Sequence, residues 1–220
     1  GGAAVSTGKA GVGGSVQVDV FLKKVKARIE DGTADARAVI LAPGGLTVRA
    51  NSEEDSYLFV IGLGGGKSAA VSGSIAVVVI DNKVEAKIGD YAMVGSKNSR
   101  GDVTVSAKDD MVIVVLAGGV AASTSGAAVG LANADVIASG STKAQIGDHV
   151  TVYGNNVTVT ATSDKKFINV VISGGVTNGS AAVTGSAAVV VVGDTVKAAI
   201  GENAVINANG DVKVIALGST

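Results

Sequence analysis

Two short blocks recur in phase along the chain and constrain its fold more than any other feature. The first reads Lys26-Ala27-Arg28-Ile29-Glu30-Asp31, Glu85-Ala86-Lys87-Ile88-Gly89-Asp90, Lys143-Ala144-Gln145-Ile146-Gly147-Asp148 and Lys197-Ala198-Ala199-Ile200-Gly201-Glu202, returning every 54 to 59 residues. The second keeps the same step: Leu46-Thr47-Val48-Arg49-Ala50, Val103-Thr104-Val105-Ser106-Ala107, Val157-Thr158-Val159-Thr160-Ala161 and Val212-Lys213-Val214-Ile215-Ala216. Glycine pairs form a third mark, at Gly1-Gly2, Gly64-Gly65, Gly118-Gly119 and Gly174-Gly175. The chain therefore reads as four diverged copies of a unit of about 55 residues, a spacing of solenoid type.

Within each block the period is two. In the second block the first, third and fifth positions are Leu or Val, Val, and Ala in every copy, while the positions between vary among Thr, Lys, Arg, Ser and Ile. That alternation is a strand with one buried face. The first block likewise turns Ala27 and Ile29, Ala86 and Ile88, Ala144 and Ile146, and Ala198 and Ile200 inward. Helical spacing is nowhere sustained, and β-branched runs such as Ile75 to Ile80 and Val189 to Val192 lie between turn signals, with Gly89-Asp90 and Gly147-Asp148 as corners.

The expected fold is all-β: a parallel β-helix, or β-solenoid, with a β-sandwich as the alternative. Residues 1–220 read as one solenoid segment without an internal domain boundary, excised from a larger repeat protein. A unit of this length predicts two or three coils per repeat, stacked about 4.8 Å apart into a rod whose ends are open sheet edges. The apolar content is mostly Ala and Val with only 3% aromatic residues, which suits a long, thin core.

The segments Ala10-Gly11-Val12-Gly13-Gly14-Ser15-Val16-Gln17-Val18 and Val25-Lys26-Ala27-Arg28-Ile29, with the later V-x-A-x-I-G-D and G-[DN]-V-x-V-x-A patterns, resemble the repeats of large secreted filamentous adhesins of Gram-negative bacteria. They are most similar to the fusobacterial leukotoxin repeats and related autotransporter or two-partner-secretion passengers. Glu30 departs from the pattern, standing where the other copies have glycine. The resemblance implies a β-helical filament, secreted or held at the bacterial cell surface, that contacts host cells through a surface receptor or glycan and carries no catalytic residues.

Charge and composition narrow the function further. A net charge of -1 provides no field that would draw nucleic acid, and Met111 to Ala122, the longest apolar run, is too short for a membrane-spanning helix. The absence of cysteine suits passage through the periplasm, where premature crosslinks obstruct export. Gly64-Gly65-Gly66-Lys67-Ser68 resembles the end of a phosphate-binding loop, but Ile61 stands where that motif needs glycine, so it reads as a structural turn. Gly11 to Asp19 lacks the aspartate column of calcium-binding nonapeptides, so no cofactor or metal is expected.

The acids Glu53-Glu54-Asp55 and Asp109-Asp110 fall in equivalent places and read as solvated loop residues, and the lone His149 as a solvated corner residue. Lys24, Lys26 and Arg28 share an outward face where a polyanion could dock. The first two copies carry extra residues between the acidic corner and the second block. Insertions in solenoids gather on one face, which points to Gly32 to Ala36 and Ser96 to Gly101 as a protruding edge, with Lys97, Asn98 and Arg100 as candidate partner-binding residues. The functional expectation is a non-enzymatic segment of an exported adhesin or leukotoxin. The alternatives are a polysaccharide lyase-like β-helix enzyme and a pure structural spacer whose partners are the neighbouring repeats of the same chain.

Overall fold

A computed structural model describes residues 2–6 and 8–220, so Gly1 of the first glycine pair lies outside the described residues. Twelve strands and no helix make up these residues. In chain order they are β1 (Gly2–Val5), β2 (Ala10–Ile29), β3 (Val39–Ile40), β4 (Leu46–Gly66), β5 (Ala69–Ile88), β6 (Met93–Val94), β7 (Gly101–Ser123), β8 (Ala127–Ile146), β9 (Thr151–Thr177), β10 (Ala181–Ile200), β11 (Val205–Ala208) and β12 (Val212–Ser219). Every pairing between them is parallel. One sheet runs β2-β5-β8-β10; the other stacks β4, β7 and β9, with the short strands at its margins. This is a parallel β-solenoid.

The register corrects the expectation of two or three coils per repeat. Ala10 pairs with Ala69, Ala69 with Ala127 and Ala127 with Ala181, so each strand meets its own equivalent one repeat later. One repeat is therefore one coil: a strand of the first sheet, a corner, a strand of the second sheet, and a tight return. Strands of 20 residues or more make this possible, each running about 65 Å at ~3.3 Å per residue. The stack is correspondingly short, about 15 Å from the first to the last strand of the four-stranded sheet at ~4.8 Å per step.

The alternation of the two blocks sets the inside. Val103, Val105 and Ala107 of β7 are buried against Ala86 and Ile88 of β5 and Ala144 and Ile146 of β8, near the corners. Farther along the strands a second cluster packs Leu58, Val60, Ile80, Met111, Ile113 and Val136. Near the return turns only Ala70, Ala121 and Ala128 remain. The two sheets thus converge toward the turns, and glycine allows it. A Cβ on Gly62 would collide with the backbone of Gly73, one on Gly64 with Val71, and one on Gly119 with Leu131, all across the gap between sheets. The three later glycine pairs are architectural, but they are strand residues and do not stack in one column: Gly118 pairs with Ile61 and Ile172, and Gly174 with Val120.

The corners explain the Gly-Asp step. Asp31 Oδ1 accepts the backbone N–H of Asp90, Asp90 Oδ1 that of Asp148, and Asp148 Oδ1 that of Glu202, at 2.9, 3.1 and 2.8 Å. A carboxylate at each level thus caps the backbone of the next. The glycine before it is required because a Cβ on Gly147 would occupy the space of the Asp90 carboxylate and the Gly89 backbone. Glu30, at the first level, is exposed and has no other corner packed beneath it among the described residues, so the departure is tolerated there.

Candidate functional site

Three surfaces or clusters are candidates, and the first is the edge where the first two coils carry extra chain. The Ser96–Ser99 segment forms a small antiparallel bridge, with Gly95 at φ 73 starting its reversal. Lys97 and Asn98 are exposed at its tip, while Arg100 turns back onto the solenoid. Its Nη1 donates to the Asn207 carbonyl (2.9 Å), and its guanidinium lies 5.5 Å from the centre of the Tyr153 ring. Arg100 therefore ties the second coil to the third and fourth, which leaves Lys97 and Asn98 as the outward pair. The neighbouring 32–36 loop is held by a Thr33 N–H donating to the Ala36 carbonyl (2.9 Å) and is exposed apart from Gly32.

Beside this edge the corner presents a ladder of side chains in the left-handed region: Tyr91, His149 and Asn203 at φ 55, 56 and 55. The Tyr91 and His149 rings stack at 4.6 Å, and Asn203 Nδ2 lies 3.4 Å from His149 Nε2. His149 is exposed, yet it is a rung of this ladder as well as a corner residue.

The second candidate is the outer surface. Lys24, Lys26 and Arg28 do share an outward face, but Lys26 pairs with Glu85 at 2.6 Å and Arg28 with Glu30 at 2.9 Å. The Lys26 ammonium, more than any other neighbour, holds the Glu85 carboxyl below its ordinary range. A shallow groove lined by Lys24, Lys83, Lys143 and Lys26 remains net positive. Toward the return turns the outer faces become apolar. On the second sheet Tyr57, Val114 and Ile168 form one column and Phe59, Leu116 and Val170 the next. Tyr57 is 62% and Phe59 58% exposed. On the first sheet Val20, Val79, Ile137 and Val191 stack in register.

The third candidate lies inside and overturns one expectation. Asp109 is not a solvated loop acid. It is in the middle of β7, faces inward and is fully buried, because the alternation that begins at Val103 continues through Ala107 to Asp109 and Met111. Glu53 and Glu54 are likewise strand residues, and Glu54 pairs with Lys23 at 3.3 Å. The same alternation in β9 carries Val157, Val159 and Ala161 on to Ser163 and Lys165, and Lys165 is 2% exposed.

Around these residues a polar layer crosses the core between the two large apolar clusters. Lys165 Nζ is 2.9 Å from Asp194 Oδ1 and 3.5 Å from Asp109 Oδ2. Asn82 Nδ2 donates to Asp109 Oδ1 and to Ser52 Oγ, and Ser163 Oγ donates to Asp194 Oδ2 at 2.6 Å. Space for the ammonium is provided by Gly140, where a Cβ would overlap Lys165 Nζ. Burial pushes the Asp109 carboxyl above the usual carboxylate range, against the opposing pull of Lys165. Neither Asp194 nor Lys165 was among the residues singled out from sequence.

Among the described residues no group of three or more His, Cys, Asp or Glu side chains converges as a metal-binding set. Among the described residues no helix is long and apolar enough to cross a membrane. Gly64 and Gly66 of the loop resembling a phosphate site lie at the end of β4 packed against the Val71 and Ala69 carbonyls, and β5 rather than a helix follows. Compared with models of known families, with curated proteins and with solved structures, the chain matches none.

Proposed function

We propose that this chain is a non-enzymatic segment of an exported bacterial adhesin or leukotoxin, whose stacked coils form a stiff surface for host-cell contact. The observation that carries the reading is the outer surface. Contiguous columns of outward-facing aromatic and aliphatic side chains, exposed at Tyr57, Phe59, Ile168 and Val170 and half-buried between them, lie on the same coils as a net-positive groove and the Lys97–Asn98 tip. Extended apolar patches rimmed by polar residues are the usual mark of an interaction surface. A host-cell receptor or an anionic surface glycan fits this combination.

Two observations bear on the alternatives. The parallel pairing of each strand with its own equivalent one repeat later favours a spacer role, since further repeats of this kind extend the same ladder. A polysaccharide-cleaving site has less support: Glu54, Glu85, Asp81 and Asp110 are each paired with a lysine instead of converging in a cleft.

The test is binding of the purified, labelled chain to mammalian cells. It is compared with a variant shortened at 32–36 and 96–101 and with a Phe59→Ser, Val170→Ser double variant. Saturable binding that is lost in either variant supports an adhesive surface, and absence of binding by the parent chain leaves the spacer role.

A further inference from the structure

The polar layer in the core contains the parts of a condensation reaction. Lys165 and Asp109 are buried, neighbours across adjacent coils, and held in an otherwise apolar interior: Ala107, Ala161 and Val84 lie on one side, Ile80, Met111 and Ala138 on the other. Burying an ammonium with two carboxylates carries a desolvation cost that a layer of aliphatic residues would not incur. Met111, in register with Lys165 one coil earlier, shows that an apolar residue fits this column.

We propose that Lys165 and Asp109 form an intramolecular amide, an isopeptide bond between Lys165 Nζ and Asp109 Cγ, with Asp194 as the proton acceptor. Asp194, at 2.9 Å, takes one proton from the ammonium. The free amine adds to Cγ of Asp109, whose burial favours the neutral acid that a leaving hydroxyl requires. Asn82 Nδ2, already donating to Asp109 Oδ1, stabilises the negative charge that develops on that oxygen. The C–O bond to the hydroxyl breaks, a second proton from nitrogen joins it, and one water leaves. Nothing is oxidised or reduced, and no co-reactant enters. Gly140 keeps the space in which Nζ reaches both carboxylates.

The bond would fasten the second coil to the third through the core. This sequence holds no cysteine and so no disulfide to resist separation of its coils, and a buried amide supplies that resistance.

Intact mass of the folded, purified chain, measured under denaturing conditions, tests this directly. The expected result is a mass lower than that of the sequence by one water, with a branched proteolytic peptide joining the segments that contain Asp109 and Lys165. Lys165→Met and Asp109→Ala restore the full sequence mass, and their far-UV circular dichroism reports whether the fold is kept. Asp194→Ala slows formation of the bond by roughly 100-fold or more, the ordinary contribution of a positioned proton acceptor. A folded parent chain at the full sequence mass overturns the proposal. So does a water loss that persists in Lys165→Met, which would place the dehydration elsewhere, such as a succinimide.

Discussion

Asp90 Oδ1 accepts the backbone N–H of Asp148 from one coil to the next, 3.1 Å away, directly beneath the glycine that precedes it. This contact makes the Gly-Asp step a stacking device: the aspartate caps the following level and the glycine admits the aspartate of the level before. Gly147→Ala should therefore cost about 2–3 kcal/mol, because a backbone cannot withdraw from the new Cβ as a flexible side chain could. Gly73→Ala, whose Cβ would meet nothing within 4 Å, should stay within about 0.5 kcal/mol of the parent. Urea denaturation of the two variants measures the difference.

The same ladder carries a pH dependence. The Asp31 carboxyl is held below its ordinary value of 3.8, chiefly by the Asp90 N–H and then by the Lys87 ammonium. A carboxyl with a depressed folded pKa contributes stability that is present above the unfolded value and lost as pH falls through the folded one. The melting temperature should thus fall as the pH drops below about 4, and less steeply in Asp31→Asn, which has no charge to lose. Because Asp31 is exposed, the effect should also shrink in high salt.

At the corner, Tyr91, His149 and Asn203 share a left-handed backbone that β-branched residues adopt only with strain. His149→Val should destabilise the chain by about 1–3 kcal/mol. His149→Asn, which copies the residue at the fourth level, should cost less, losing the ring stacked on Tyr91 and its contact with Asn203 but keeping the left-handed backbone. Thermal unfolding followed at a β-sheet wavelength distinguishes the two.

Arg100 reaches from the second coil to the Asn207 carbonyl of the fourth. Arg100→Ala should weaken protection of the 205–208 amides in hydrogen exchange by about tenfold, equivalent to ~1.4 kcal/mol, while Lys97→Ala and Asn98→Ala leave it unchanged. A loss of host-cell binding in Lys97→Ala without that loss of protection would separate contact from stability.

Much of this fold is legible in the chain because period and phase are both explicit. Val103, Val105 and Ala107, with Ala86 and Ile88, identify the buried face by their alternation alone. What failed was the continuation. Following the same alternation two residues past Ala107 and four past Ala161 places Asp109 and Lys165 inside, but charged residues at the end of an apolar block resemble the start of a loop. The coil number failed for a related reason. Gly64-Gly65-Gly66 reads as a turn, whereas β4 runs through all three residues, and Gly64 and Gly119 stand where the two sheets touch, so the strands are several times longer than ordinary ones. Asp194 carries no local signal, since its role depends on a lysine 29 residues earlier that reaches it only through the stacking register.

That one repeat forms one coil is tested most directly by excising residues 69–126, joining Ser68 to Ala127. The register then brings β8 onto β2 and β9 onto β4, and Glu54 comes beside Lys165 in place of Met111. A shortened chain with a β-sheet spectrum and one cooperative transition, at a lower melting temperature, is the expected result. An unfolded product, or an equally well-folded chain after removal of only half that length, would contradict one coil per repeat.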